Sequence, residues 1–434
     1  MSEAYAGHVA ERQRKAEAAL AVTGYDGLVI QSGKAFRYFA DDQDAPFREV
    51  PHFAHWVPLA GPQHLLYVRP GQAPKLVRVS AEDFWYEQEP LGDPFWKASF
   101  DFDQAPDAES AWQRLGLSGR VAYIGDTPEQ AAAYGVAEAD ANPAELVARL
   151  DWDRSYKTPY EIECLSEATR RAAPGHLAAK AAFEAGASEL EIHYAYVQAV
   201  GCIDEELPYH AIIALDEKGA ILHYIGKRTQ RDGRVLLIDC GAEYQGYGCD
   251  ITRTWTTDKA DPLFRELVEG MDGLQRELCD AAKPGLPYAD LHHMAHLKVA
   301  DLLESKGILK VGGEEAVSRG LSYPFYPHGL GHFLGIQTHD VAGHQAAPEG
   351  GSNPPPEKHP ALRTTRTIEK DMVFTVEPGL YFIDMLLRPH REGPEKDAFD
   401  WATIDRLTPF GGIRIEDNIV VTADGHTNLT RPHV

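Results

Sequence analysis

Apolar positions in the first 150 or so residues follow two rhythms. Residues 7–22 repeat them at helical spacing, whereas GLVIQSG, HLLYVRP, KLVRVS and RVAYIGD are short β-rich runs closed off by Gly, Pro or Ser. Such alternation predicts an α/β domain. At KTPYEIECL a helix start interrupts it: Thr158 can cap, Pro159 takes the first helical position, and Glu161 completes a T-x-x-E box. The expected boundary therefore separates residues 1–156 from 157–434. GASELEIHYAY repeats the device with Ser188 and Glu191. From Ala211 the pattern changes to strands (AIIAL, AILHY, RVLLIDC, DITRTW), then helices over 262–306, then strands again (MVFTVEPGLYF, IRIEDNIVVT). Strands that follow one another without a crossover helix predict an α+β domain with mainly antiparallel pairing. APEGGSNPPPEKHPALR reads as loop, since three consecutive prolines cannot pair in a sheet.

Composition narrows the function. The chain has 434 residues, 44% apolar and 25% charged, with a formal net charge of −24. That charge gives no footprint for nucleic acid or for anionic lipid, and it suits cations and small substrates. Cys164, Cys202, Cys240, Cys249 and Cys279 form no CxxC pair. They suit a reduced cytoplasmic protein better than a disulfide framework. The first 20 residues lack the apolar core of a signal peptide, and no run of about 18 apolar residues occurs, so neither secretion nor a membrane span is expected.

Four carboxylates interrupt the apolar texture. Asp239 and Asp250 each stand at the edge of an apolar strand in LLIDCGAEYQGYGCDITRTW. Glu377 is expected within the strand of FTVEPGLYF, and Glu416 at an apolar position of GGIRIEDNIVV, on the same strand face as Arg414. A single such acid is ordinarily paired or partly solvated. Four, with only Arg253, Arg363, Arg366 and Arg414 to neutralise them, suggest divalent cations. Four carboxylates balance two divalent ions, whereas one ion would leave about two buried negative charges uncompensated. The stretch YPHGLGHFLGIQTHD adds His328, His332 and His339. Oxygen donors with one imidazole favour Mn²⁺ over zinc. His328 and His332 have the spacing of two ligands on a helix, but Gly329, Gly331 and Gly335 each cost a helix about 1 kcal/mol. An irregular segment is expected instead, with glycines that let the backbone pass close to metal.

The blocks D-x-G…D-I-T-R-T, H-G-L-G-H…H-D, V-E-P-G-L-Y and G-G-I-R-I-E-D-N occur in an order and spacing that resemble the bacterial Xaa-Pro dipeptidases (prolidases). Within that family the resemblance is to the branch that includes organophosphorus acid anhydrolases, in the superfamily of creatinase, aminopeptidase P and methionine aminopeptidase. DDQDAPFREVPHFAHWVP, residues 41–58, extends it into the N-terminal region. The resemblance implies an N-terminal α/β domain that dimerises and caps the substrate site, and a C-terminal pita-bread catalytic domain with a mainly antiparallel curved sheet. It also implies a homodimer and two Mn²⁺ per subunit. Asp239 and Asp250 would bind one ion; Asp250, His332, Glu377 and Glu416 the other, with Asp250 and Glu416 bridging. Arg363 would bind the proline carboxylate with His223 nearby, His339 would steady the tetrahedral intermediate, and Tyr209 and Tyr381 would line the proline pocket. Asp41, Asp42 and Asp44 would approach the substrate amino terminus from a partner subunit. Arg414 would orient a metal carboxylate, His328 would support the surroundings, and His210 has no matching role.

The reaction expected is hydrolysis of an Xaa-Pro dipeptide. A water bridging two cations gives up its proton readily and attacks the carbonyl, and Glu377 relays that proton to the departing proline nitrogen. The same centre suits a side activity on organophosphorus triesters or fluoridates. Aminopeptidase P would need an open channel for longer peptides, and a non-catalytic scaffold would have no use for five retained ligands. Cys240 and Cys249 read as small buried neighbours of the ligands.

Overall fold

The structure, a computed structural model, describes residues 2–85 and 90–434. It divides into two compact units: Met1–Glu161 with Gln345–Gly351, and Ile162–His344 with Ser352–Val434.

In the first unit the helix Ser2–Thr23 is followed by strands Gly27–Gln31, Leu65–Val68, Lys75–Val79 and Val121–Ile124, which coincide with the four β-rich runs. A fifth strand, Asp101–Ala105, lies outside Lys75–Val79 in a mixed sheet. Val29, Leu65, Tyr67, Trp112 and Tyr123 are buried in its core. Thr158 and Glu161 form the expected reciprocal cap: the Thr158 N–H donates to Glu161 Oε2 at 2.8 Å, and the Glu161 N–H donates to Thr158 Oγ1 at 3.4 Å.

The second unit carries the acidic blocks. Ile212–Leu215, Val235–Asp239 and Thr252–Thr256 form one antiparallel sheet, and Val373–Val376, Asp417–Val421 and His426–Asn428 another. Gly379–Tyr381 pairs with Gly412–Arg414. Sheets are antiparallel and open, as expected. Ile213, Leu236 and Ile238 bury their side chains against Ala179 and Phe183 of the long helix Pro159–Glu184. The helices expected over 262–306 are Pro262–Ala281 and Tyr288–Ser305.

Three local expectations are corrected. AILHY is not a strand. Asp216 turns left-handed (φ 54°) and its Oδ1 accepts from the Arg234 and Val235 N–H groups, so a short 3₁₀ turn over Asp216–Ala220 ends the pairing. MVFTVEPGLYF and IRIEDNIVVT are each two strands, broken at Glu377–Pro378 and at Ile415–Glu416. Pro378 has no N–H to give a ladder, while the Glu377 N–H turns to Leu330 O (2.8 Å) and the Glu416 N–H to Thr252 O (3.0 Å). Lastly, the expected loop begins as a ribbon of Gln345–Ala347 and Gly350–Ser352, joined by a turn at 348–349, with Gly350 and Gly351 at positive φ where the second strand starts. The three prolines follow it outside any strand.

Candidate metal centre

Each acidic residue stands where a strand stops. Asp239 ends Val235–Asp239 opposite Thr252. The chain then reverses through the Glu243–Tyr244 and Tyr247–Gly248 ribbon, with Gln245 and Gly246 both at positive φ, the backbone of a tight hairpin. That reversal returns Asp250 to the sheet beside Asp239. Gly241 permits it: a Cβ there would lie 2.0 Å from Cys249 O. Glu377 and Glu416 occupy the two strand breaks, where a side chain is free to leave the pleat alternation.

His332 arrives from a segment without helix, as the glycines predict. They act differently from expectation, however. A Cβ on Gly331 would lie 2.1 Å from Thr375 O and one on Gly329 3.0 Å from Ala361 O, so the glycines let this segment nest on neighbouring backbone. Phe333 bridges Phe374 there. The His332 Nδ1–H donates to Phe333 O at 3.0 Å, which leaves Nε2 facing Asp250 Oδ2 (3.4 Å) and Glu377 Oε1 (3.8 Å).

The protein uses one oxygen of each pinned carboxylate and leaves the other. Asp239 Oδ2 accepts from Arg414 at 2.6 Å, Glu416 Oε2 accepts from Thr252 Oγ1 at 2.7 Å, and Asp250 Oδ2 faces His332. Asp239 Oδ1, Asp250 Oδ1 and Glu416 Oε1 are buried without a hydrogen-bond partner. Buried carboxylate oxygens are costly to leave unpaired. Asp250, His332 and Glu416 also bring donor atoms within 4.8 Å of one another, all three buried. This donor set fits divalent cations.

Arg414 and His328 hold the centre from behind. The Arg414 guanidinium donates to Asp239, to Tyr381 OH (2.9 Å) and to Thr252 Oγ1 (3.2 Å). The Tyr381 hydroxyl in turn donates to His328 Nε2 at 2.9 Å, and the His328 Nδ1–H to Gly329 O at 2.8 Å. Burial and the Arg414 charge lower His328 to a pKa of about 3, so it is a neutral link. Sequence reading missed Thr252, which joins Arg414 to Glu416; its signal was its place two residues after Asp250 in D-I-T.

Burial and crowding set the protonation of the cluster. Burial and the Asp250 charge push Asp239 up to about 6; burial raises Glu377 to about 7, against the pull of His332 and Arg414. Glu416 is raised well above the carboxylate range by burial, Asp250 and Glu377. Asp250 is lowered, because His332 outweighs its burial, and His332 is raised in exchange. Protons thus compete with cations here below about pH 7. Burial pushes the Cys240 thiol far up and Cys249 to about 12, which keeps both inert beside the ligands.

These groups open on a cavity of about 280 Å³ that Asp239, Asp250, His332, Glu377, Arg414 and Glu416 share with His223, His328, His339 and Arg363. His223, His339 and Arg363 are exposed at its rim. The His339 ring meets that of His332 edge-on at 4.4 Å; one side of the residue reaches solvent, but desolvation of its inner side together with the His332 charge lowers it to about 4. Tyr381 is fully buried, its hydroxyl committed to Arg414 and His328, and it does not line the cavity. Tyr209 lies outside the lining as well; its buried hydroxyl is close enough to Asp239 and Asp250 to favour their charged forms. His210 is exposed. In the first unit Asp44 pairs with Arg37 at 3.1 Å, and Asp41 Oδ1 accepts from the N–H groups of Asp42 and Gln43.

Known proteins resemble this chain over nearly its whole length. Residues 163–423 match the model of metallopeptidase family M24, and residues 3–152 that of the Xaa-Pro dipeptidase N-terminal domain. The Xaa-Pro dipeptidase of Pseudoalteromonas atlantica is 43% identical, over 99% of this chain and 98% of that one. That of Marinobacter nauticus is 46% identical, over 98% and 96%. The solved structure of proline aminopeptidase P II from Yersinia pestis superposes with a TM-score of 0.74 at 24% identity, covering 99% of this chain and 97% of that one. The fold is therefore the two-domain arrangement of aminopeptidase P, an N-terminal domain followed by a pita-bread catalytic domain. A metal-competent carboxylate cluster, both family models and full-length relatives converge, and the chain belongs to the Xaa-Pro dipeptidases of metallopeptidase family M24.

Proposed function

We propose that this enzyme hydrolyses dipeptides with a C-terminal proline at a two-Mn²⁺ centre. The observation that carries the reading is the convergence of four carboxylates and one imidazole with three buried carboxylate oxygens unspent. Asp239 and Asp250 would hold one ion, and Asp250, His332, Glu377 and Glu416 the other, with Asp250 and Glu416 shared. Bound there, divalent ions would acidify water and polarise the scissile carbonyl. The mainly oxygen donor set supports Mn²⁺ over zinc.

The side chains divide the remaining work. Glu377, a carboxylate on the wall of this cavity, is suited to take a proton from the attacking water and pass it to the proline nitrogen. His339, neutral at physiological pH, offers an N–H to the developing oxyanion without adding a charge. Arg363 at the rim suits the proline carboxylate, since a guanidinium fork matches a carboxylate, and His223 stands on the same cavity. A cavity near 280 Å³ is just smaller than the usual ligand pocket of roughly 300–1,000 Å³, which favours a dipeptide over a longer chain. Five cysteines without a disulfide support a reducing, cytoplasmic setting. Resemblance to the family supports a homodimer.

Arg363→Met should raise KM for Ala-Pro roughly tenfold, the loss of one exposed charge-assisted contact, with kcat changed much less. Steady-state kinetics on Ala-Pro and on tripeptides that extend it beyond proline check both the residue and the length limit. Equal rates on dipeptide and tripeptides would favour an aminopeptidase P activity instead.

A further inference from the structure

A second group of metal-type ligands lies in the catalytic unit, apart from the carboxylates. His292 and His296 stand four residues apart on the helix Tyr288–Ser305, so both imidazoles share one helix face. His359, three residues beyond Pro356, closes a triangle with them. The ring centroids are 4.8 Å apart for His292 and His296, 4.5 Å for His292 and His359, and 4.6 Å for His296 and His359. A nitrogen of each ring lies within 4.8 Å of one on both others.

These imidazoles have unspent nitrogens. His292 and His296 are each 1% exposed. Nδ1 of His292, Nε2 of His296 and Nδ1 of His359 are buried with no hydrogen-bond partner. A satisfied histidine core would spend these atoms on carbonyls or hydroxyls. One nitrogen is spent: His296 Nδ1 bonds Ser322 Oγ at 3.0 Å, the kind of outer partner that orients a ligating imidazole and leaves Nε2 for an ion. A cavity of about 810 Å³ reaches His296 and His359 and also Glu314 and Glu357, which leaves room for a further ligand or water.

We propose that His292, His296 and His359 bind one divalent transition ion of the kind that prefers imidazole, Zn²⁺ foremost, at a site distinct from the carboxylate centre. The all-nitrogen donor set selects Zn²⁺, Ni²⁺ or Cu²⁺ over Mn²⁺, the reverse of the oxygen-rich centre. Tyr326 separates the two sites: its ring packs 4.7 Å from His296 on one side and 5.0 Å from His328 on the other. The ion would fasten the helix to the segment that carries Arg363 four residues after His359.

The test uses full-length, metal-stripped Asp250→Asn protein, in which the carboxylate centre is weakened, against the same protein with His359→Asn added. His359 is half-buried on a loop, so its replacement spares the core. Calorimetric titration with Zn²⁺ should show one site per chain in the first protein, and binding there should weaken roughly tenfold or more in the second. Zn²⁺ should also slow tryptic cleavage after the exposed Lys358 only in the first. Identical Zn²⁺ isotherms in the two proteins would overturn the site. Should Asp250→Asn fold poorly, wild type and His359→Asn are compared with Mn²⁺ saturating the carboxylate centre. One more Zn²⁺ per chain in wild type supports the proposal, and equal counts overturn it. Both readouts are independent of peptidase activity, so failure of the dipeptidase reading would leave this result intact.

Discussion

Asp250→Asn should lower kcat/KM on Ala-Pro by roughly 10³-fold, about 4 kcal/mol of barrier. Asp250 is 6% exposed, faces His332 Nε2 at 3.4 Å through one oxygen and leaves the other buried and unspent. The amide keeps the shape while it removes the charge that a shared ligand needs. Because Asp250 raises Asp239 and Glu416 but is itself held low by His332, its neutralisation relieves a repulsion as it gives up an attraction, and the metal-free variant should stay folded with a Tm close to the parent's. Metal content and activity would fall together while the metal-free Tm holds. A variant that lost activity only through unfolding would contradict this account.

That residue was legible in the chain because its surroundings are not. Asp239, Asp250, Glu377 and Glu416 are charges set in runs of Val, Leu, Ile and Phe, where a lone charge costs too much to persist without a partner. Their exact backbone setting was hidden. The breaks at Glu377 and Glu416 depend on N–H groups that turn to Leu330 and Thr252, 47 and 164 positions away along the chain, and no local rhythm encodes such pairings. AILHY misled for a similar reason: its apolar residues read as a strand, but the left-handed Asp216 ends the ladder before them. Asp101–Ala105 went unread because only Ala105 is fully buried.

Arg414→Met should destabilise the metal-free enzyme by roughly 3–5 kcal/mol, the cost of stripping a buried ion network of one partner. Arg414 is 4% exposed and spends its guanidinium on Asp239, Tyr381 and Thr252, so one substitution leaves a buried carboxylate, a phenol and a hydroxyl without their donor. The effect depends on pH. Arg414 lowers Asp239 and Glu377, so without it both would be raised beyond about 6 and about 7. The folded variant would then hold protons that the unfolded chain releases near pH 4, and its stability should fall as pH rises from about 4 through 7. Mn²⁺, supplying positive charge at the same carboxylates, should restore more stability to the variant than it adds to wild type. Urea unfolding with EDTA and with Mn²⁺ at pH 5 and pH 8 checks this. Equal metal-free stability of the two proteins at pH 8 would contradict it.

The histidines show where a sequence reading stops. His332 was singled out by its family block, and its ligand-like setting needs Phe333 O to fix the tautomer, a contact between neighbours in the chain. His292, His296 and His359 carry no such block. Two sit on an ordinary amphipathic helix and the third lies 63 positions later beyond a proline run, so only the folded chain brings them together.

The proposed activity is that of a metal-dependent dipeptidase built on Asp239, Asp250, His332, Glu377 and Glu416. It is tested most directly by stripping the enzyme with chelator and titrating Mn²⁺ back while Ala-Pro hydrolysis is followed. Mn²⁺ disfavours the all-imidazole triad, so the titration reports on the oxygen-rich centre alone. The stripped enzyme should cleave negligibly, and the rate should rise with Mn²⁺ and saturate at two ions per chain. Full cleavage by stripped enzyme, or none after two ions have bound, would contradict it.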